Sequence, residues 1–174
     1  MSDRSKRAMK IVLTGNNFIE KSSLVRRYVD NDNERWCNYN KKELVLKGCK
    51  VALELWATFG AREFRTEEQY RGADGCIIVF SVTNRKSFED LNLWRNELFS
   101  LGKPQNPEQF PFVVVGTKIE VEADRTVTKE EAQQWCDSFS IPYFECSSKA
   151  GTNVKEAFET IIAKVFDSQK RPNL

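Results

Sequence analysis

Short apolar runs alternate along this chain with segments whose apolar residues recur every three or four positions. Continuous apolar runs at 9–13, 75–82 and 112–115, and a shorter one at 143–144, predict buried strands. Two further runs, 44–46 and 51–56, flank turn residues at 47–50 and predict a β-hairpin. Helical spacing predicts helices at 21–29, 87–98, 128–135 and from 153 onward. This alternation indicates an α/β fold with a mostly parallel, doubly wound sheet.

Length and charge limit the organisation of the chain. It has 174 residues, which is enough for one domain with a substantial core. We predict a basic N-terminal tail at 1–7, a single domain at 8–168 and a C-terminal tail at 169–174. Lysine and arginine number 27 against 25 acidic residues, so nothing indicates a nucleic-acid partner.

Cysteine and histidine content, together with the lack of long apolar runs, indicates the cellular compartment and excludes some kinds of chemistry. Five scattered cysteines form no C-x-x-C pair, which indicates a reducing compartment and mostly buried thiols. The absence of histidine excludes imidazole catalysis and histidine-ligated metals. No apolar run approaches the roughly 18 residues of a spanning helix, and the N-terminus lacks the apolar core of a signal peptide. We therefore predict a cytoplasmic protein.

The stretch at 10–24 contains a candidate ligand-binding motif. The apolar run is followed by Gly15, a polar loop, Lys21 and Ser22, as in a phosphate-binding loop of the form G-x-x-x-x-G-K-[ST]. Lys21 would contact a phosphate, and Ser22 would be the magnesium ligand. Glu20 stands where the second glycine belongs, so a loop built to surround anions has acquired an anion of its own.

Over nearly its whole length the sequence resembles the Rab-type small GTPases, in the branch associated with late endosomes. The resemblance implies a six-stranded sheet whose second strand is antiparallel, five helices around it, GTP or GDP with Mg²⁺ as cofactor, and protein effectors. The stretches that carry it are RRYV at 26–29, the segment around Trp56, YRGADGCIIVFSV at 70–82, SFEDLNLWRNE at 87–97, FPFVVVGTK at 110–118, EEAQQWC at 130–136 and IPYFECSSK at 141–149.

The motifs for metal and water depart from the family. Its W-D-T-A-G-Q-E is here Trp56 followed by Ala57, Thr58, Phe59, Gly60, Ala61 and Arg62. Ala57 replaces the aspartate that holds the magnesium shell, and Ala61 replaces the catalytic glutamine that orients water, so no catalytic residue is predicted. Phe59 replaces a small residue. Both switch loops are shortened, and the first has no threonine.

The motif for the base is also altered. The family's N-K-x-D is here Thr117, Lys118, Ile119 and Glu120, while its S-A-K is nearly intact as Ser147, Ser148 and Lys149. For the base loop, residual purine binding and an ordinary strand-end loop stay open as alternatives. The residues that would bind a nucleotide are Gly15, Lys21, Ser22, Ser23, Thr117, Lys118, Glu120, Ser147, Ser148 and Lys149, with Ser22 for the metal.

Glu20 is expected to weaken nucleotide binding in two ways. Positive φ at a non-glycine residue costs on the order of 1–2 kcal/mol. A carboxylate about 5 Å from a phosphate is repelled by roughly 3 kcal/mol at an effective dielectric of 20. Together these predict a loss of about 10²–10³ in affinity. The alternative is that Glu20 turns outward or pairs with Lys21.

Aromatic residues suggest where partners bind. Trp36, Tyr39 and Trp56 would form a protein-binding surface beside the shortened switch loops, although Trp56 also fits a core position, as Trp94 and Trp135 do. The family is anchored to membranes through prenylated C-terminal cysteines, which this chain's last residues lack, so the anchor is missing or the chain is cut short.

Three functions stay open from the sequence. The favoured one is a pseudo-GTPase that acts in vesicle traffic, possessing weak or no GTP binding and no efficient hydrolysis. The second is a guanine-nucleotide binder with very low hydrolysis. The third is a binder of another purine nucleotide or anion in the altered pocket.

Overall fold

The computed structural model describes residues 6–29, 38–61 and 65–169. Six strands run in chain order as β1 (Arg7–Thr14), β2 (Tyr39–Leu46), β3 (Cys49–Ala57), β4 (Gly75–Ser81), β5 (Phe112–Thr117) and β6 (Tyr143–Glu145). The α-helices are α1 (Lys21–Val29), α2 (Glu67–Tyr70), α3 (Arg85–Glu89), α4 (Leu91–Glu97), α5 (Lys129–Ser138) and α6 (Val154–Gln169).

The six strands form one sheet in the order β2-β3-β1-β4-β5-β6. β2 and β3 form the predicted hairpin and pair antiparallel, whereas the other neighbouring strands pair parallel. Both β4 and β5 are buried along their full length, as strands covered on both faces must be. The predicted fold class and the antiparallel second strand are confirmed.

Helices on the two faces of the sheet enclose two separate cores. One core packs α1 and α6 against the sheet and includes Leu24, Phe158 and Ile161. The other packs α3, α4 and α5 against the opposite face and includes Trp94 and Cys136. In the parallel strands the carboxyl ends share one edge, so the loops after β1, β3, β4 and β5 meet there.

The helix after β4 differs from the prediction. It begins at Arg85 rather than residue 87, because the side chain of Asn84 accepts a hydrogen bond from Ser87 N and caps it. Asp90 has ψ 2° and separates α3 from α4, and a π-helical turn, Leu98–Gly102, follows. The described chain therefore has six α-helical segments, where the family resemblance implied five helices.

The first and last described elements are β1 and α6. β1 begins at Arg7, one residue before position 8, and the Arg7 guanidinium lies 4.6 Å from the centre of the Phe166 ring. α6 ends at Gln169, one residue after position 168. Three of the four described cysteines are buried, and Cys49 is half-buried.

Candidate nucleotide site

The loop between β1 and α1 has the backbone of a phosphate-binding loop. Gly15 has φ 147°, and a Cβ there would lie 2.2 Å from the carbonyl oxygen of Val79 in β4. Only glycine fits this contact, because the loop passes directly over the end of the neighbouring strand. The loop then enters α1 at Lys21, whose position at the first helical residue matches the motif.

Lys21 is buried against its own loop. Its ammonium donates to the carbonyl oxygens of Gly15 and Asn16, at 2.8 and 2.5 Å. Burial, with a smaller contribution from the positive charge of Arg65, lowers the Lys21 pKa to about 8. Lys21 is therefore a buried cation with a second cation, Arg65, close by.

Glu20 does not pair with Lys21. Its backbone has φ 69°, the left-handed conformation that the sequence predicted for this position. Its carboxylate accepts a hydrogen bond of 2.7 Å from the hydroxyl of Ser148. The predicted anion therefore lies against the loop after β6, on the base side of the site, and joins the two loops directly.

The loop after β3 packs closely onto the phosphate loop. A Cβ on Gly60 would lie 2.3 Å from the backbone nitrogen of Asn17, which places these two backbones in contact. Arg65 holds this arrangement, because its guanidinium donates to the carbonyl oxygen of Gly60 at 2.7 Å and to Glu97 at 2.9 Å. The Arg65 side chain is only 7% exposed and lies 4.5 Å from the Trp94 ring centre.

A chain of hydroxyl groups ends on the same carboxylate. Tyr70 donates its one hydroxyl proton to Glu97 at 2.7 Å, so it accepts from Thr14 at 2.8 Å. Thr14 in turn accepts from Thr58 at 3.2 Å. Each of these hydroxyls donates one bond, and burial raises the pKa of Tyr70 well above its usual value. Glu97 thus receives bonds from both Tyr70 and Arg65.

Asn16 ties the phosphate loop to α3 and α4. Its side-chain oxygen accepts from the indole N–H of Trp94 at 2.7 Å, and its amide nitrogen donates to Asp90 at 2.9 Å. Asp90 also accepts from Lys86 at 2.7 Å. The phosphate loop is therefore fixed from one side by Asn16 and from the other by Gly60. Together we call Asn16, Gly60, Arg65, Tyr70, Trp94 and Glu97 the closing network.

The base side keeps a simpler arrangement. The buried Thr117 hydroxyl lies 3.1 Å from the carbonyl oxygens of both Ile19 and Phe80. Lys118 donates to the carbonyl oxygen of Phe18 at 2.9 Å. These contacts hold the loop after β5 against the phosphate loop. Glu120 is exposed and has no side-chain hydrogen bond or ion pair with the described residues.

The other predicted site residues lie around these loops. Ser22 and Ser23 are half-buried in the first turn of α1, and Ser147 is buried while Lys149 is exposed. Ala57 is buried at the end of β3, and Ala61 is half-buried in the loop beyond it. The structure thus brings the predicted phosphate-side and base-side residues to one edge of the sheet.

Sequence reasoning missed the closing network. Arg65 and Glu97 are separated by 32 residues, and the hydrogen bond of Asn16 to Trp94 spans 78. Trp94 is 3% exposed, as expected for a core position. The sequence did not predict which residue would accept a hydrogen bond from its indole N–H. Only an unexplained buried arginine and carboxylate could have suggested the network, and burial is not visible in the sequence.

The predicted aromatic surface is described in part. Trp36 lies outside the described residues. Tyr39 packs on Trp56 with ring centres 4.6 Å apart, and the Lys10 ammonium lies 4.6 Å from the Trp56 ring centre. Both aromatic side chains are half-buried, so they serve packing while remaining partly accessible.

The described residues contain neither a metal-ligand cluster nor a membrane-spanning helix. The parts of the chain at 6–29, 38–61 and 65–169 contain no group of three or more cysteine, aspartate or glutamate residues placed to hold a metal ion. Within the same ranges, none of the helices has the length and apolar character needed to span a membrane.

Comparison with known proteins agrees with the fold. The model of the Ras family matches residues 10–167. The chain is 38% identical over 183 residues to Ras-related protein Rab-7a of Paramecium octaurelia, covering 98% of this chain and 87% of that protein. It is 39% identical to GTP-binding protein yptV5 of Volvox carteri, covering 100% and 90%, and 39% identical to Ras-related protein Rab7 of Drosophila melanogaster, covering 96% and 84%. These findings confirm the resemblance, and the chain belongs to the Ras family, within the late-endosomal branch of the Rab small GTPases.

Proposed function

We propose that this chain is a protein-binding member of its family that acts in vesicle traffic at endosomal membranes, binds GTP weakly and does not hydrolyse it efficiently. Family membership and the names of its relatives, Rab7 and GTP-binding protein, support the general role. The proposal of weak nucleotide binding rests on the geometry of this chain's phosphate loop.

The contact between Gly60 and Asn17 carries the proposal. In the family's switching cycle, the loop after β3 closes onto the terminal phosphate and opens when that phosphate is lost. Here the two backbones meet directly, and Arg65 fastens the loop to Glu97 on α4. A phosphate that entered between Gly60 and Asn17 would have to break a bond between charged, buried groups, so binding energy would be spent on opening the loop.

The oxygen donors beside the loop do not fit a magnesium ion. Magnesium in such sites needs carboxylate and hydroxyl ligands in octahedral geometry. Ala57 offers no side-chain oxygen, and the Thr58 hydroxyl donates its proton to Thr14. Ser22 is left as the one predicted ligand. With Ala61 in place of the glutamine that orients water, positioning and charge stabilisation, which supply nearly all phosphoryl-transfer catalysis, are both missing.

A second candidate is a guanine-nucleotide binder with very low hydrolysis, and the base side favours it. Thr117 and Lys118 still hold the loop after β5 against the phosphate loop, and Lys21 and Ser22 remain at the start of α1. A nucleotide held mainly by its base would bind without opening the loop after β3. The two candidates therefore differ in affinity and in the contribution of the terminal phosphate.

Titration of the full chain with fluorescent GTP and GDP analogues and magnesium tests the proposal. We expect a dissociation constant of about 0.1 µM or weaker for both, and little nucleotide in the denatured, purified protein. The variant with Glu20→Gly, Ala57→Asp, Glu120→Asp and Arg65→Met should recover affinity by orders of magnitude. Lys21→Met in that background should remove it, which controls for binding elsewhere. A nanomolar constant for the wild type would contradict the proposal.

Partner binding gives a separate test of the role. Because no differential contact with a terminal phosphate is available, nucleotide has no coupling energy with which to shift the loops. A partner isolated with the wild type should bind equally without nucleotide, with GDP and with a non-hydrolysable GTP analogue. A tenfold preference for the GTP form, about 1.4 kcal/mol, would support the second candidate instead.

A further inference from the structure

A groove lies on the face of the molecule that carries α1 and α6. It has a volume of about 770 Å³ and runs between the C-terminal end of α1, the edge strand β2 and the first three turns of α6. Its apolar floor is formed by Leu44, Leu46, Val154 and Ile162. None of the residues predicted to bind nucleotide lines it, so it is a separate site, and its volume is within the range of ligand clefts.

Stacked side chains make one wall of the groove rigid. The Tyr28 ring stacks on Phe158 with ring centres 4.3 Å apart and planes at 5°. Lys42 lies over the same ring at 4.2 Å and donates to the Tyr28 carbonyl oxygen at 3.1 Å. Its ammonium is therefore held at the groove while the aromatic pair supports it from below.

A glycine keeps a second cation at the rim. Gly151 has φ 79°, and a Cβ there would lie 2.5 Å from the Arg27 guanidinium. Arg27 is exposed and donates weakly to the carbonyl oxygen of Ala150 at 3.4 Å. The loop after β6 thus leaves room for Arg27 to lie across the end of the groove.

The charges around the groove are mostly positive. Arg27, Lys42 and Lys155 line it, and Glu159 is the one acidic residue among its lining residues. The ion pair of Lys155 with Glu159 is 3.7 Å long and exposed on both sides, so it neutralises little. An apolar floor beneath a basic rim complements a ligand that carries both carboxylates and apolar side chains.

We propose that this groove binds an acidic segment of a partner protein, with apolar side chains on the floor and carboxylates at Arg27, Lys42 and Lys155. A protein segment fits better than a membrane surface. The apolar floor is recessed, and side chains that project from a peptide can reach it, whereas a layer of lipid headgroups lies across the rim. β2 pairs with β3 alone among the described strands, so the groove lies beside an edge strand of the sheet.

The test is selection of peptides from a displayed random library on the full chain. We expect an enriched group that is acidic and contains leucine or phenylalanine. The double variant Arg27→Glu with Lys155→Glu should weaken its binding at least about tenfold, and wild-type binding should weaken with added salt. Lys103→Glu with Lys129→Glu changes the net charge equally at exposed positions away from the groove and should leave binding within about twofold.

A second variant tests the floor. Ala163→Phe would place a ring in the groove without changing charge, and it should also displace the selected peptides. Equal thermal midpoints for the variants and the wild type establish that they fold. The proposal is overturned if no enriched peptide loses binding in the groove variants, or if those that do are not acidic. It is also overturned if only vesicles containing phosphatidylserine bind in a groove-dependent way, which would make the groove a membrane contact.

Discussion

The two halves of the predicted nucleotide site are held together by different kinds of contact. On the base side, Thr117 and Lys118 bond backbone carbonyls of the phosphate loop, and a bond between two side chains joins Glu20 to Ser148. On the phosphate side, side chains from two helices and two loops form the closing network around Gly60 and Asn16.

Under the proposed function, the two kinds of contact explain how the phosphate side of a ligand site becomes part of the packed protein. A backbone-directed contact survives changes in ligand because its acceptor, a main-chain carbonyl, is always present. A phosphate-binding surface, in contrast, presents cations and N–H groups that need an anion. Glu97 supplies a carboxylate for Arg65, and burial of that pair makes the closed arrangement self-sufficient.

The largest expected effect comes from breaking the buried pair. Glu97→Ala leaves the guanidinium of Arg65, which is 7% exposed, without its carboxylate and removes the acceptor of the Tyr70 hydroxyl. Loss of one partner of a buried pair costs about 3–5 kcal/mol, so we expect a decrease of that size in the free energy of unfolding. Urea denaturation at neutral pH measures it.

The control for this variant lies in the neighbouring helix. Glu89→Ala removes an exposed carboxylate that pairs with Arg85 at 3.6 Å, and it should cost far less. The double variant Glu97→Ala with Arg65→Met should be more stable than Glu97→Ala alone, since it removes the unpaired charge. Equal effects of Glu97→Ala and Glu89→Ala would show that the closing network contributes no stability.

Lys21 gives the next effect, and it depends on pH. Its pKa is about 8 in the folded protein against 10.5 for the free side chain, chiefly because of burial. Between these values the unfolded chain binds more protons, so Lys21 makes the free energy of unfolding rise with pH, and below about 8 the penalty is constant. At 1.36 kcal/mol per unit, the rise is about 3 kcal/mol.

The measurement is the difference in unfolding free energy between the wild type and Lys21→Met. That difference should increase in favour of the wild type from about pH 8 to 10.5, because groups common to both proteins cancel. Since the charge of Arg65 is the second cause of the shift, Arg65→Met should reduce the rise. A constant difference would mean that Lys21 is not buried in the phosphate loop.

Most of the fold could be predicted because its signals are local. The run at 75–82 is apolar throughout, and β4 is buried throughout; the turn at 47–50 specified the hairpin. The break at Asp90 could not be predicted, since 87–98 keeps its apolar spacing across it. A side-chain cap at Asn84 started α3 earlier than that spacing indicated.

The site was predictable only where a residue's role is set by its neighbours in sequence. The positive φ of Glu20 follows from its place in the loop, and the structure has it at 69°. Its partner could not be predicted, because Ser148 lies 128 residues away. From the sequence, Glu20 could turn outward or pair with Lys21. In the folded protein its carboxylate instead bonds Ser148 in the loop after β6.

The smallest expected effect concerns the bond between Glu20 and Ser148. It tests whether the base-side loops are coupled as strongly as the phosphate-side loops. Ser148→Ala removes a partly buried donor to the Glu20 carboxylate, and we expect a loss of about 1 kcal/mol in unfolding free energy. Glu20→Gly loses the same bond but relieves a positive φ that costs on the order of 1–2 kcal/mol, so its net change should be near zero or stabilising. In the Glu20→Gly background, Ser148→Ala should have no effect, because its acceptor is gone.

A double-mutant cycle by urea denaturation gives the coupling. A value near that of Arg65 with Glu97 would mean that both halves are equally closed, and purely additive changes would mean that Glu20 and Ser148 do not interact at all.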